Sequence, residues 1–185
     1  MGCSYTGKDF SRSFRTVRKN TIQVAQDIPE AQYGYRVTPD TRSVAETLAH
    51  VAAQTRWHHR LHGIDRKTFM GFEDFGKYMQ EVTAYAASLT TKPLILKSLE
   101  EDGAEFAAFL DGLTDAQLAE TVGFPPPIDP PQKTRFELLL GAKEHEMHHR
   151  AQLMVVQRLL GIVPHLTRER QARQAGASAA APARA

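Results

Sequence analysis

Glu144-His145-Glu146-Met147-His148-His149-Arg150-Ala151-Gln152 lies in a run without proline or helix-breaking clusters, and reading it as helix organises the rest of the chain. His145 and His149 stand one turn apart. At that spacing two imidazoles leave a helix about 40° apart around its axis, so both can address one object, and a divalent metal ion is the candidate. Stepping about 100° per residue, the positions near the direction of His145 are Thr134, Leu138, Ala142, His149, Gln152 and Val156, an inward stripe. Lys143 and Arg150 fall on the far side. A core or surface histidine pair that holds no ion is the competing reading.

The helix carrying this stretch is predicted to run from about Thr134 to Leu160, with Gly161 as its C-terminal cap and Pro164 beyond. Phe136, Leu140, Met147 and Met154 form a second apolar line opposite the histidines, so the helix is expected to be buried twice, between bundle neighbours or in a subunit contact. After about Arg170 the composition turns to alanine, glycine, arginine and proline, and a disordered tail is expected over 171–185.

Upstream, Phe10, Phe14, Val17, Thr21, Val24 and Ile28 make one apolar seam at spacings of four and three, which predicts a helix over 9–27. Lys8, Arg12, Arg15 and Lys19 lie opposite; with no interleaved aromatics to stack bases, they read as a solvated face. Pro29, Gly34 and Pro39 make a connector. Ser43-Val44-Ala45-Glu46 is a capping box that opens a second helix reaching about His62. Glycines 63, 71 and 76 loosen the next segment, which could line or cover a site, before a short helix at Tyr78–Leu89. Thr91-Lys92-Pro93 opens another long helix, and Thr114–Thr121 gives a further turn or two. Phe124-Pro125-Pro126-Pro127-Ile128-Asp129-Pro130-Pro131 is too rich in proline for regular structure. The expected fold is all-α: a four-helix bundle over residues 1–170 with an extra short helical segment and the disordered C-terminal tail.

At 185 residues with 42% hydrophobic content the chain fits one globular domain. A net charge of +2 gives no argument for nucleic acid. Cys3 is the only cysteine, which excludes an internal disulfide and a thiolate metal cluster. No apolar run approaches the roughly 18 residues of a membrane span and no signal-peptide core opens the chain, so a cytoplasmic protein is expected. Met1-Gly2-Cys3-Ser4-Tyr5-Thr6 fits the myristoylation pattern and is read as coincidence.

His50 sits among core-facing neighbours of the second helix, with Thr47, Gln54, Trp57 and Leu61 on its stripe. Alone it would be a hydrogen-bonded core histidine; beside a His-x-x-x-His pair it is the natural third ligand. Three protein nitrogens leave one position for water or substrate, the arrangement of a catalytic site. Zinc suits three imidazoles, as do nickel and iron. Glu46, one turn before His50, is a candidate to orient it. His58 and His62 are also four apart with His59 between, but at a helix end charged histidines favour the carbonyl terminus without metal, so this pair ranks below.

Ile28-Pro29-Glu30, the run Tyr35-Arg36-Val37-Thr38-Pro39-Asp40-Thr41-Arg42-Ser43-Val44-Ala45-Glu46-Thr47-Leu48-Ala49-His50, and Glu144-His145-Glu146-Met147-His148-His149-Arg150-Ala151-Gln152-Leu153 occur in that order. On these motifs the chain resembles the DinB-like (YfiT-like) metal-binding four-helix-bundle family over about residues 10–166. The resemblance implies His50, His145 and His149 as the metal ligands and a homodimer. It also implies a metal-dependent enzyme using a low-molecular-weight thiol as S-transferase or isomerase, or a metal-dependent hydrolase; other members have no known activity. The histidine-rich stretch from Trp57 to His62 and the alanine-rich tail depart from the family pattern.

Two other classes compete. His145-Glu146-Met147-His148-His149 fits His-Glu-x-x-His, the zinc-peptidase pattern with Glu146 as general base, and His165 or Glu169 would then be the third ligand. A non-catalytic helical metal-binding or protein-interaction module would instead use the Met-rich face of the last helix. His148, about 60° from His145, is a candidate acid/base.

Overall fold

The computed structural model describes residues 5–180; Cys3 and most of the Met1–Thr6 pattern lie outside them. Four long helices form the bundle: α1 (Gly7–Asp27), α2 (Val44–His59), α4 (Lys92–Asp111) and α6 (Arg135–Leu159). α1 and α2 each pack against both α4 and α6, so the four close into a ring, and α3 (Phe72–Ser88) lies outside it on α2. α5 (Asp115–Ala119) and α7 (His165–Ala180) complete the helices, and a short 3₁₀ turn at Glu30–Gln32 interrupts the first connector.

Local chemistry sets the helix starts. Thr6, Ser43 and Thr134 each accept from the backbone N–H three residues on, and Asp9, Glu46 and Glu137 return the bond. Thr91 caps α4 with Pro93 in its first turn. Gly161 takes φ +75° after α6, a left-handed conformation open to glycine at little cost. The α1 seam is buried from Phe10 to Ile28, while Lys8, Arg12, Arg15 and Lys19 are exposed.

Three features differ from the sequence reading. α3 begins at Phe72, because Asp74 accepts from the Gly71 N–H and Gly76 sits on an open face where it costs only propensity. The proline connector is flanked by a two-stranded antiparallel ribbon, β1 (Thr121–Gly123) and β2 (Gln132–Thr134), too short to show alternation. Residues 165–180 are helical where a disordered tail was expected from 171 onward. Alanine, glutamine and arginine favour helix locally; Arg168 pairs with Asp27 of α1 at 2.8 Å, and every residue from Glu169 to Ala177 is exposed.

The core has an apolar cluster around Phe14, Phe106 and Leu139 and another around Val24, Leu48, Leu99 and Leu153. Between them lies a buried ion pair. The Arg18 guanidinium on α1 donates to both carboxylate oxygens of Glu146 on α6 at 3.0–3.1 Å and to the Leu99 carbonyl on α4 at 2.9 Å. Gly103 makes room, since a Cβ there would lie 2.9 Å from Arg18 Cγ.

Candidate metal centre

α2 and α6 pack side by side, which brings His50 to face His145 and His149. The Nε2 atoms of His50 and His145 are 3.2 Å apart and those of His145 and His149 are 3.1 Å apart. All three nitrogens lie within 4.8 Å of one another. Three nitrogens about 2.0–2.1 Å from one ion at near-tetrahedral angles would be roughly 3.3 Å apart. The set therefore fits a divalent ion with little rearrangement. Burial and the neighbouring imidazoles push His50 and His145 down to about 4, and His149 is lowered mainly by burial, so all three are neutral at pH 7 with lone pairs to offer.

Amides one turn along orient two of the rings. His149 Nδ1–H donates to Gln152 Oε1 at 2.8 Å, which leaves its Nε2 unprotonated. The same amide's Nε2 donates to His148 Nε2 at 3.0 Å, holding the exposed His148 as its Nδ1–H tautomer. Gln54, on the other helix, places its Nε2 3.4 Å from His50 Nδ1 while its Oε1 accepts from the Trp57 indole at 2.7 Å. Glu46 does not reach His50. Its carboxylate is held by the Ser43 backbone N–H and by Arg36, so its roles are capping and pairing.

A ligand-bearing Nε2 on His50 requires a proton on Nδ1, and Gln54 must then turn its oxygen away from Trp57. Trp57 is the only tryptophan. Zinc added to metal-free protein is thus expected to change tryptophan emission, saturating at one ion per chain, with no change in His149→Ala. Saturable zinc binding with unaltered emission would show that Gln54 is not coupled to the site.

The other candidate residues lie elsewhere. Glu146 is 3% exposed with its carboxylate engaged by Arg18, so it is a structural anion and not a general base. His165 is buried 3.3 Å from Asn20 and Glu169 is exposed; neither joins the three histidines. Both findings remove the peptidase reading. His58 and His62 are not charged caps: the helix widens into a π turn at Arg60–Ile64, both side chains are buried, and burial drives His62 down to about 3 and His58 well below its ordinary value. His59 instead meets Glu105 of α4 at 3.1 Å.

The sequence model of the DinB superfamily matches residues 13–153, more than half of the chain and all three candidate ligands. The chain belongs to the DinB superfamily. A DinB-like protein from Bacillus subtilis shares its fold with a TM-score of 0.58 at 20% identity, covering 82% of this chain and 91% of that one. An uncharacterized protein from Clostridium difficile 630 gives a TM-score of 0.61 at 14% identity, covering 85% and 98%. At these identities the likeness speaks for the fold alone. No curated protein matches the chain. Within this DinB-superfamily bundle no helix of the described residues is long and apolar enough to cross a membrane.

Two clefts open beside the centre. One, of about 800 Å³, is lined by the connector before α2, the first turn of α2 and α6, and contains His148 and His149. The other, of about 400 Å³, is lined by α2 and α3 and contains His50, Met79, Val82 and Thr83. The segment before Leu89 does form a wall of the site region.

Proposed function

We propose that this DinB-superfamily chain is a metal-dependent enzyme of thiol-dependent S-transferase type, with His50, His145 and His149 holding one divalent ion. The convergence of the three Nε2 atoms carries the reading. Zinc matches the imidazole set, and nickel or iron would also be accepted. A bound ion would supply Lewis acidity, lowering the pKa of a coordinated thiol or water. The chain's own groups do the rest. Gln152 fixes the His149 tautomer, His148 offers a hydrogen-bond donor at the edge of the larger cleft, and α3 walls the smaller one. Access from two sides favours two organic substrates over a hydrolase, which needs one and water; hydrolysis is the second enzymatic reading.

The test is elemental analysis with an activity screen on untagged protein. About one ion per chain is expected, lost in His50→Ala and in His149→Ala with helical circular dichroism retained. Thiol-dependent transfer to electrophilic acceptors should vanish with the ion. No ion after incubation with zinc or nickel would overturn the enzyme and leave an interaction module.

We propose also that the chain forms a homodimer through the exposed Leu159, at the end of α6, and Val163, in the link that follows it. Sedimentation should then give a dimer for wild type and a monomer for Leu159→Glu; two monomers would remove the proposal.

A further inference from the structure

Arg42 stands where the two clefts meet, since it lines both the larger one beside His149 and the smaller one beside His50. It is exposed, and among the described residues its side chain makes no hydrogen bond or ion pair. The nearby charges are otherwise engaged: Arg36 pairs with Glu46, and Asp40 accepts from the Thr38 hydroxyl. Arg42 acts electrostatically on His50, His145 and His149 alike, each of which it makes harder to protonate.

The donor set sharpens the point. Three neutral imidazoles cancel none of a divalent ion's charge, and no carboxylate joins them, so the loaded centre keeps its full +2 beside a guanidinium. Two like charges held at one partly apolar opening are mutually unfavourable until an anion lies between them or against either. The larger cleft supplies what such an anion would carry. Val37 of the connector and Val155 of α6, 50% and 56% exposed, both line it, with Val44, Leu153 and Val156 alongside. About 800 Å³ is the size of a small-molecule site.

We propose that Arg42 anchors the substrate: a small organic carboxylate whose carboxyl group pairs with the Arg42 guanidinium and whose apolar body lies along the valines of the larger cleft, next to His149. The inference rests on the metal-centre reading for its catalytic meaning, but the recognition belongs to Arg42 and the cleft. An arginine suits the role because its planar fork can hold both oxygens of a carboxylate, fixing the orientation of the attached chain as well as its position. The smaller cleft remains for the second reactant, on the His50 side.

The experiment compares hexanoate with hexanamide, a matched neutral probe, by titration calorimetry on zinc-loaded and metal-free protein, with metal content measured on every sample. Hexanoate is expected to bind the loaded wild type more tightly than hexanamide by about ten-fold or more, the scale of a charge-assisted hydrogen bond. Arg42→Gln should erase that preference while keeping one ion per chain, and Arg15→Gln, on the outer face of α1, should leave it unchanged. Val155→Trp, which fills the larger cleft, should weaken both probes, whereas Ala87→Trp in the smaller cleft should not. A preference that survives Arg42→Gln, loss of binding only through the smaller cleft, or no measurable binding of hexanoate would each overturn the proposal. Failure of the metal reading is separate: the chain would then take up no ion, while the Arg42-dependent preference would still be read on metal-free protein.

Discussion

Glu146→Leu is expected to lower the unfolding free energy by about 3–5 kcal/mol, the scale of stranding one member of a buried ion pair. The carboxylate accepts three bonds from Arg18, and the two side chains are 3% and 4% exposed. Removing it leaves a guanidinium between two apolar clusters with only the Leu99 carbonyl as partner. The double variant Arg18→Met/Glu146→Leu should recover most of the loss, since two apolar side chains of similar volume need no partners there. Urea unfolding of the single and double variants measures this. Equal stability of the two would show that the pair is not the source of the cost. Zinc content should stay at one ion per chain in the double variant, because the pair joins α1, α4 and α6 and takes no part in the histidine site.

That pair also shows where reading the sequence stops. The α1 seam, the Ser43-to-Glu46 box, the start of α4 and the end of α6 were legible because each depends on residues within a turn or two of one another. Arg18 and Glu146 depend on a partner 128 positions away, and a periodicity argument assigns charged residues to the surface. The buried line of α6 runs Arg135, Leu139, Ala142, Glu146, His149, Leu153, Gln157. Its alternating spacing is present in the sequence, but the polar members Arg135, Glu146 and Gln157 hide it, and the stripe through His145 meets it only at Ala142 and His149.

The three histidines were legible in part from spacing and in part from resemblance. Their surroundings were less so. Gln54 and Gln152 each lie about one turn beyond a ligand, the position from which an amide reaches the far ring nitrogen, and that offset is the signal that would have singled them out. Arg42 carries no such mark. Its place between two clefts is set by how the connector before α2 folds over α6, which no local pattern encodes. The burial of His58 and His62 is hidden for a related reason: a helix end reads as solvent-exposed, whereas the π turn and the packing of Leu61, Met70, Tyr78 and Val122 close over it.

Those buried histidines predict acid lability. In the folded protein His62 is held neutral, lowered to about 3 by burial and by the Arg135 guanidinium whose Nη1 donates to its Nδ1 at 3.1 Å. In the unfolded chain it binds a proton below about pH 6.5. Stability is therefore complete above pH 6.5 and falls as the pH drops toward 3, with the unfolded state taking up the proton. At pH 5 the loss from His62 alone is about 2 kcal/mol, and His58, lowered chiefly by burial and then by His62 and His145, adds in the same direction. His62→Gln keeps an acceptor for Arg135 and removes the titrating group. Urea unfolding of metal-free protein between pH 7.5 and 5 should show wild type losing about 2 kcal/mol more than this variant. Parallel losses in the two would mean that His62 is charged in the fold or reached by water, and that the acid sensitivity of the bundle arises elsewhere.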